Sequence, residues 1–317
     1  MITENVDMNQ EIKKKIPAIA KMMHDCRERY YNYLGKHCPE KLIRIWYKHI
    51  FKEEINLEAP QTINEKVNWM KLHSDYSLWT TCTDKYEVRS YVEEKGLGHV
   101  LNEIYGVYNS ADEIDFDNLP NSFVLKTTNG GGGKEVLIVK DKTQLNTIDA
   151  KKSLNKWLKQ RIGYRYYEPH YINISPRIIA EKYLKPIKGD ISLVDYKFFC
   201  FNGRVHSVEL CSDRSFNGSV HYSVYDIDWV KRTDVVYPEY VTDKQYPKPQ
   251  SFDSMLEYSR KLSEGIPFVR VDWYEIDGKP VFSEMTFTPA GAFLHCFNKE
   301  YLLELGDCLD INDCIVK

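Results

Sequence analysis

The sequence predicts an α+β protein in which a mainly helical N-terminal region precedes layers of strands and helices. Up to about residue 96, apolar residues recur at three- and four-residue intervals, which is typical of helices. From Ser122 onward, short apolar runs are separated by glycine-containing turns, which is typical of β-hairpins. Strands in runs, interrupted by helices, favour α+β layers over a regular βαβ series.

The helical part contains three predicted segments. Ile12, Ile16, Ile19 and Met23 begin a periodic stretch over residues 11–55. Thr62 followed by Glu65 is a capping-box pattern that predicts a second helical segment. A third helix is predicted from Thr83 to Gly96, with Lys85 in its first turn. We therefore expect residues 1–82 to form a helical region.

The next part, residues 83–180, carries the first hairpin. Residues 123–126 and 136–139 have strand composition, and they flank a glycine-rich turn formed by Asn129, Gly130, Gly131, Gly132 and Gly133. Residues 153–160 have helical periodicity. Residues 178–184 are predicted to be a strand that passes into a connector.

Residues 181–317 are predicted to form the C-terminal lobe, which is rich in strands. Residues 196–201 and 204–210 flank Asn202-Gly203, and residues 268–275 and 281–288 flank Asp277-Gly278. Both dipeptides are strong hairpin signals. Residues 220–225 are predicted to be a further strand, and residues 251–263 a helix.

Composition excludes several classes of protein. The 317-residue chain has a formal net charge of -3 and no strongly basic block, so it gives no support for non-specific nucleic-acid binding. It lacks an apolar run of the ~20 residues that a transmembrane helix needs. Its polar N-terminus does not resemble a signal peptide, so we expect a cytoplasmic protein. The eight cysteines form no C-x-x-C pair, which argues against structural zinc.

Three features of the strand-rich part could bind a polyphosphate. The glycine run offers backbone N–H groups without obstructing side chains, although it also fits a mobile hairpin turn and does not match the Walker A pattern. Lys126 and Lys197 are flanked by apolar strand residues, where a buried charge needs a partner. A phosphate would provide that partner, but either lysine also fits the solvent face of a half-buried strand.

The two arms of the second predicted hairpin carry the most informative charges. Alternation puts Arg270 and Asp272 on one face, and Glu284 and Thr286 on one face of the partner strand. If those faces coincide, two carboxylates converge beside an arginine, which suits Mg²⁺. A cross-strand salt bridge between Arg270 and Glu284 explains the same residues without a metal.

Asp226 and Asp228 form a D-x-D pattern like that of many metal-dependent glycosyltransferases. No nucleotide-sugar-binding βαβ unit precedes this dipeptide pattern in the sequence. A polar turn that follows a strand accounts for it equally simply, and we favour that interpretation.

Taken in order, these segments resemble the ATP-grasp superfamily, and in particular its TupA-like branch associated with polysaccharide and teichuronopeptide biosynthesis. The likeness runs from about Asn64 to Thr288. Its landmarks are Asn64-Glu65-Lys66, Thr83-Asp84-Lys85-Tyr86, the 123–126 strand with its glycine loop, Pro176-Arg177-Ile178-Ile179-Ala180-Glu181, Asp195-Tyr196-Lys197-Phe198-Phe199, Phe268-Val269-Arg270-Val271-Asp272 and Glu284-Met285-Thr286-Phe287-Thr288-Pro289.

The resemblance implies two α+β lobes that clasp ATP, and roles for individual residues. The implied nucleotide-binding residues are Lys85, Lys126, Lys197, the glycine loop Asn129 to Gly133, the hinge residues Glu181, Lys182, Tyr183 and Leu184, and Asp190 at the ribose. Asp272 and Glu284 resemble the Mg²⁺ ligands, and Arg270 resembles the arginine that stabilises a tetrahedral intermediate. Lys197 is also an implied catalytic residue. Thr286 stands where many related ligases have asparagine, and it is expected as a third metal ligand.

The implied function is an ATP- and Mg²⁺-dependent ligase that forms an amide through an acyl phosphate. The family branch points to a uronic-acid sugar or glycan and an amino acid as partners, in capsule or cell-surface polysaccharide biosynthesis. Three alternatives stay open: an ATP-grasp phosphotransferase acting on a sugar hydroxyl, a glycosyltransferase built on Asp226 and Asp228, and a nucleotide-binding module without catalysis. No nucleic-acid partner and no transmembrane segment are expected.

Overall fold

The computed structural model describes residues 21–131, 135–160, 162–186, 192–212, 221–242 and 244–314. The chain is helical from residue 21 to residue 37 (α1), and four further helices precede the first strand. They are α2 (Pro39–Phe51), α3 (Ile63–His73), α4 (Ser77–Thr83) and α5 (Val88–Glu94). The predicted capping box is confirmed, because Thr62 accepts from the Glu65 N–H and Glu65 accepts from the Thr62 N–H. Part of the predicted 11–55 stretch, residues 11–20, lies outside the described residues.

The prediction of one helix from Thr83 to Gly96 is wrong. The Asp84 side chain accepts hydrogen bonds from the N–H groups of Tyr86 and Glu87, at 2.8 and 3.0 Å, which forms a turn between α4 and α5. Lys85 therefore lies in a turn and not in the first turn of a helix. Gly96 ends α5 with φ +74°, as expected for a glycine after a helix.

A four-stranded antiparallel sheet follows, in the spatial order β1-β4-β2-β3. Its strands are β1 (Ile104–Tyr108), β2 (Phe123–Thr127), β3 (Val136–Val139) and β4 (Ile178–Lys182). Two helices, α6 (Thr147–Trp157) and α7 (Pro169–Ile172), connect β3 to β4. The helix predicted at 153–160 begins earlier, because Asn146 accepts from the N–H groups of Ile148 and Asp149 and caps it there.

A six-stranded antiparallel sheet has the spatial order β10-β9-β5-β6-β7-β8. Its strands are β5 (Asp195–Phe201), β6 (Arg204–Ser212), β7 (His221–Tyr225), β8 (Lys231–Arg232), β9 (Val269–Ile276) and β10 (Lys279–Thr286). The helices are α8 (Phe252–Ser263) and α9 (Lys299–Asp307). Both predicted two-residue hairpin turns are confirmed, and their residues have the positive φ angles that such turns need: 45° and 77° at Asn202-Gly203, 50° and 69° at Asp277-Gly278.

The two faces of the six-stranded sheet differ in chemistry. One face is apolar and packs on α8, with Phe198 against Phe252 and the Trp273 indole N–H donating to Ser259 Oγ. The other face carries buried charges on β5, β6 and β9, and the partly exposed Glu284 on β10. The predicted α+β architecture with a helical N-terminal region is thus confirmed. The proposed domain limits at residues 82/83 and 180/181 stay a prediction, and β4 runs across the second of them.

Among the residues that the structure describes, no helix is both long and apolar enough to cross a membrane.

Candidate active site

A row of charged residues crosses the polar face of the six-stranded sheet. Glu284 on β10 lies opposite Asp272 on β9, Asp272 lies opposite Lys197 on β5, and Lys197 lies opposite Glu209 on β6. Arg270 pairs with Thr286 two residues further along the β9–β10 ladder, on the same face. Residues that face each other across strands point to the same side of the sheet, so the neighbouring carboxylates Glu284 and Asp272 lie in line with Lys197 and Glu209.

Asp272 is the centre of this row and is fully buried. Arg270 binds it through two nitrogens, with Nε 2.7 Å from Oδ1 and Nη2 2.6 Å from Oδ2. Lys197 Nζ lies 2.5 Å from Asp272 Oδ2 and 2.7 Å from Asp195 Oδ2. The predicted alternative, a salt bridge between Arg270 and Glu284, is present only as a 3.6 Å contact. The Arg270 guanidinium therefore interacts mainly with Asp272, and its contact with Glu284 is longer.

The neighbouring cations keep Glu284 ionised. Burial alone would raise its pKa, but Lys85, Lys197, Arg270 and Lys126 together lower the pKa of Glu284 to about 2. Glu284 keeps 37% of its side chain exposed, whereas Asp272 has none. Glu284 is thus the carboxylate of the pair that is both charged and accessible.

Two opposing effects set the charge of Lys197. Burial and the Arg270 guanidinium would lower its pKa, but Asp195, Asp272 and Glu284 outweigh them, so the pKa of Lys197 is raised. Burial raises the pKa of Asp272, while three charge-assisted hydrogen bonds from Arg270 and Lys197 favour its ionised form. Each group thus has a buried partner of opposite charge.

The four-stranded sheet presents a second set of charges to the same cleft. Lys126 on β2 and Glu181 on β4 are diagonal neighbours on one face, with Nζ 2.7 Å from Oε1. Lys85 lies between the two sheets, and its Nζ donates to the Gly130 carbonyl. Burial, with help from Lys126, lowers the pKa of Lys85, and Glu284, Asp84 and Glu181 oppose that shift. The Lys85 amine thus interacts electrostatically with a carboxylate of each sheet, Glu181 on β4 and Glu284 on β10.

The start of the glycine loop lies beside Lys126. Thr127 and Asn129 are buried, and their side-chain oxygens accept no hydrogen bond from the described residues. A Cβ atom added at Gly130 would lie 3.0 Å from Thr127 Oγ1, whereas one at Gly131 would meet only Tyr171 Oη, at 3.9 Å. The predicted residues Gly132 and Gly133 lie outside the described residues, as does Asp190.

The predicted hinge residues span the end of β4, with Glu181 and Lys182 in the strand and Tyr183 and Leu184 after it. Lys182 has no free backbone group, because its N–H donates to Glu103 O at 2.9 Å and its carbonyl accepts from Asn102 Nδ2 at 2.9 Å. If the backbone of this segment hydrogen-bonds an adenine ring, the groups available for it are therefore those of Tyr183 and Leu184. The Glu181 side chain remains beside Lys126.

Arg177 ties the Lys85 turn to the glycine loop. Its Nη2 lies 2.7 Å from Glu87 Oε1 and 3.4 Å from Asp84 Oδ2, and its guanidinium stacks 4.7 Å from the centre of the Tyr86 ring. Its backbone carbonyl accepts from the Thr128 N–H, and the Thr128 carbonyl accepts from the Lys85 N–H. Arg177 thus touches the residues on both sides of Lys85.

Helix α3 supports the turn that follows β10. In that turn Ala290, Gly291 and Ala292 have φ angles of 52°, 68° and 68°, a left-handed run that alanine disfavours. Asn68 Nδ2 donates to Ala292 O at 2.9 Å, and Lys71 Nζ donates to Gly291 O at 3.0 Å. Both side chains are fully buried on one face of α3. The helical region therefore forms part of the scaffold of the site.

A buried ionisable group, Lys71, lies under this turn. Burial lowers the pKa of Lys71 to about 7, and the Glu168 carboxylate opposes the shift. Glu168 accepts a 2.6 Å hydrogen bond from the Thr288 hydroxyl, and burial raises its pKa. His170, also fully buried, has its pKa lowered to about 3 by burial and by Lys71.

The model of the TupA-like ATP-grasp family matches residues 65–310, more than three quarters of the chain. The chain belongs to this family. The ATP-grasp fold binds ATP, and the two sheets with their facing lysines and carboxylates are the corresponding lobes. No curated protein sequence matches the chain significantly.

Solved structures with similarity to this ATP-grasp chain include several ligases. D-alanine–D-alanine ligase from Bacillus anthracis is 16% identical, covers 75% of this chain and 72% of its own, and has a TM-score of 0.44. The corresponding enzyme from Helicobacter pylori is 13% identical, with coverages of 79% and 70% and a TM-score of 0.43. D-cycloserine synthetase DcsG is 15% identical, with coverages of 73% and 70% and a TM-score of 0.41. Identities and scores this low carry no information about the substrate.

The donor set of the ATP-grasp cleft fits Mg²⁺. A carboxylate offers about four lone-pair sites, and hydrogen bonds from Arg270 and Lys197 use three of those on Asp272. Glu284 is charged and accessible, and Thr286 Oγ1 lies 3.4 Å from its Oε1. Within the described ranges no group of three or more His, Cys, Asp or Glu side chains could hold a metal. Two carboxylates are nevertheless sufficient where substrate phosphates complete the coordination of Mg²⁺.

Asp226 and Asp228 form a turn, as we favoured from the sequence. Asp226 Oδ1 accepts from the N–H groups of Asp228 at 3.0 Å and Val230 at 2.8 Å. The Trp229 N–H donates to the Asp226 carbonyl, and Trp229 has a φ of 65°. The Asp226 carboxylate therefore stabilises a loop.

Sequence reasoning missed three residues of the cleft. Asp195 could have been found, since alternation puts it on the same face as Lys197. Glu209 could not, because a register shift between Phe199 and Cys200 brings it opposite Lys197. Tyr171 could not be found either, because it lies on α7 and is brought near Gly131 only by the tertiary structure. Burial raises the pKa of Tyr171 well above its usual value, with a further contribution from Glu168.

Proposed function

We propose that this ATP-grasp protein is an ATP- and Mg²⁺-dependent ligase that joins a carboxylate to an amine. The observation that carries the proposal is the pairing of Glu284 with Asp272, flanked by Arg270 and Lys197, across a cleft from Lys126. Such an arrangement offers oxygen ligands to a hard cation and positive charge to phosphates. The family match supports ATP as the nucleotide.

The proposed first step activates a carboxylate. An oxygen of the substrate carboxylate attacks the γ-phosphorus of ATP, the bond from that phosphorus to the bridging oxygen breaks, and ADP leaves. Lys85, Lys126 and Lys197 would neutralise the phosphate oxygens. Mg²⁺, held by Glu284 and Asp272 with Thr286 as a third oxygen, would supply further charge neutralisation.

The proposed second step forms the amide. The amine attacks the acyl phosphate carbon, the bond to the phosphate oxygen breaks, and the amine loses a proton. Arg270 Nη1 donates no hydrogen bond to any described residue, and a tenth of the side chain is exposed. This free donor supports a role for Arg270 in stabilising the oxyanion.

The proposed substrates are a uronic-acid sugar or glycan and an amino acid, in capsule or cell-surface polysaccharide biosynthesis. This part of the proposal comes from the branch of the family and not from any pocket geometry.

The nucleotide roles proposed for Glu181, Tyr183 and Leu184 place the adenine at the hinge. Asn129 to Gly133 would cover the phosphates and keep water from the acyl phosphate.

The test is mass spectrometry after incubation with Mg-ATP, pooled uronic-acid sugars and amino acids, while released phosphate is measured in parallel. We expect a product equal in mass to sugar acid plus amino acid less one water, together with ADP and free phosphate. The Glu284→Gln variant is the matched control and should give none. A phosphorylated sugar without free phosphate would instead establish the phosphotransferase alternative.

A further inference from the structure

Helix α1 has two different faces from Glu28 onward, whereas residues 21–27 are exposed on all sides. Its inner face is held by the protein: Leu34 is buried, the Tyr31 ring lies 4.8 Å from the Trp46 ring, and Glu28 forms a 2.9 Å ion pair with Arg165. At Gly35 an added Cβ would lie 1.9 Å from the Tyr164 carbonyl oxygen, so the helix rests directly on the backbone beneath it. The second half of the helix is therefore held against the protein, and its other face points away from it.

That outer face carries an uncovered apolar stripe. Met22, Met23, Tyr30 and Tyr33 are 60%, 65%, 48% and 59% exposed. A 100° step per residue puts them within about one quadrant of the helix. Cys26 and His37, also exposed, lie in the same quadrant. Scattered exposed apolar residues are ordinary, but a stripe from Met22 to Tyr33, about three turns, indicates a binding face.

Basic residues border the stripe on one side. Arg29 and Lys36 are exposed and lie between the stripe and the inner face. Of the two acidic residues in the helix, Glu28 is paired with Arg165, which leaves Asp25 as the only acidic side chain on this border.

We propose that the outer face of α1 is a docking surface for an anionic lipid bilayer. A helix with an apolar stripe and a basic flank lies in the plane of a membrane interface, with its apolar face among the acyl chains and its cations at the phosphates. Tyrosine suits this position because its ring is apolar and its hydroxyl is polar. This inference concerns a surface away from the cleft and does not depend on the proposed reaction.

Charge argues against a second copy of the chain as the occupant. Met23, Cys26, Tyr30, Tyr33 and His37 have coiled-coil spacing, so two copies could meet along this stripe. The positions that flank such a seam, however, carry Arg27, Arg29 and Lys36. Like charges at flanking positions disfavour self-association, whereas phosphodiester head groups neutralise them.

The test is co-sedimentation of the full-length protein with vesicles, without ATP or substrate. Vesicles of phosphatidylglycerol and phosphatidylcholine in equal parts should bind the protein at least about tenfold more strongly than phosphatidylcholine alone, and added salt should weaken binding. Tyr30→Glu with Tyr33→Glu, and separately Arg29→Glu with Lys36→Glu, should each reduce binding about tenfold or more. The matched controls are Ile148→Glu, which changes a 77%-exposed isoleucine on α6, and Lys140→Glu.

Three results would overturn the proposal. The first is an absence of binding to the anionic vesicles, and the second is binding that the α1 variants reduce no more than the controls do. The third is self-association in light scattering that the Tyr30 and Tyr33 changes abolish, which would assign the stripe to a second copy. Circular dichroism melts of each variant should match the wild type, which separates loss of binding from loss of structure.

Discussion

Glu284 lies directly opposite Asp272 because β10 carries one extra residue, Ser283, between Phe282 and Glu284. Counted from the turn at Asp277-Gly278, a regular ladder would pair Asp272 with Ser283 and turn Glu284 toward the apolar face. The bulge shifts the register by one and brings the second carboxylate to the polar face. The carboxylate pair of the candidate site thus depends on a local irregularity of one strand.

The two carboxylates should respond differently to neutralisation. Glu284→Gln should lower turnover at least about 100-fold, because a charged ligand of the proposed metal is lost. It should change the free energy of unfolding by less than about 1 kcal/mol, because the position is accessible. Asp272→Asn should abolish turnover and also destabilise the fold by about 3 kcal/mol, because Arg270 and Lys197 lose their buried partner. Phosphate release and urea unfolding measure the two effects. Glu257→Gln, an exposed change on α8, is the control and should alter neither.

The sequence predicts local features of this fold well because their causes are local. Asn202-Gly203 and Asp277-Gly278 specify their hairpins through the positive φ angles that a two-residue turn requires. Thr62 and Glu65 specify the start of α3 by bonding each other's backbone. Arg270 and Asp272 likewise share a face because side chains alternate along a strand, and the sequence alone predicts this.

Features set by distant parts of the chain could not be predicted. The face of Glu284 and the partner of Lys197 depend on bulges, which have no reliable sequence signature. The helix is interrupted at Lys85 because the Asp84 carboxylate accepts hydrogen bonds from the N–H groups of Tyr86 and Glu87 and so favours a turn over a helix. The spacing of Asn64, Asn68 and Lys71 is visible on α3, but their partners follow more than 200 residues later.

Lys126 should be required for nucleotide binding. Lys126→Met removes the cation that faces the cleft beside Glu181, and we expect the affinity for a non-hydrolysable ATP analogue to fall about 10- to 100-fold, as for loss of a charge-assisted hydrogen bond. Isothermal titration calorimetry measures this affinity. Lys140→Met is the matched control, because the Lys140 side chain is exposed and lies outside the proposed nucleotide-binding residues. Equal affinity in the two variants would contradict the proposed role of Lys126.

Arg177 should act by positioning Lys85. Arg177→Lys keeps a positive charge but loses the planar group that contacts Glu87, Asp84 and the Tyr86 ring together. We expect turnover to fall about tenfold through misplacement of Lys85, with a smaller change in the amine KM. Steady-state kinetics measure both constants. Arg89→Lys, in which a single hydrogen bond to Asn102 O is altered, should leave them near the wild-type values.

Asp226 and Asp228 should be dispensable for catalysis. Asp228→Asn should leave turnover unchanged, and Asp226→Asn should cost at most about 1 kcal/mol of stability, because its carboxylate caps a turn through two hydrogen bonds. Turnover by phosphate release and binding of nucleotide-sugars by calorimetry test this. Loss of turnover in Asp228→Asn together with tight nucleotide-sugar binding would favour the glycosyltransferase alternative.

Lys71 should make stability depend on pH above neutrality. Its pKa is about 7 in the folded protein against an ordinary value of 10.5, so between these values the unfolded chain binds a proton that the folded chain has lost. Stability therefore rises with pH across this window, and the cost of burying the charged amine is greatest below pH 7. In Lys71→Met this contribution disappears. The free energy of unfolding of the wild type, measured in urea relative to the variant, should thus increase as pH is raised from 7 toward 9. A constant difference would mean that Lys71 keeps its proton throughout, held by Glu168 and by its hydrogen bonds to Asn68 and Gly291.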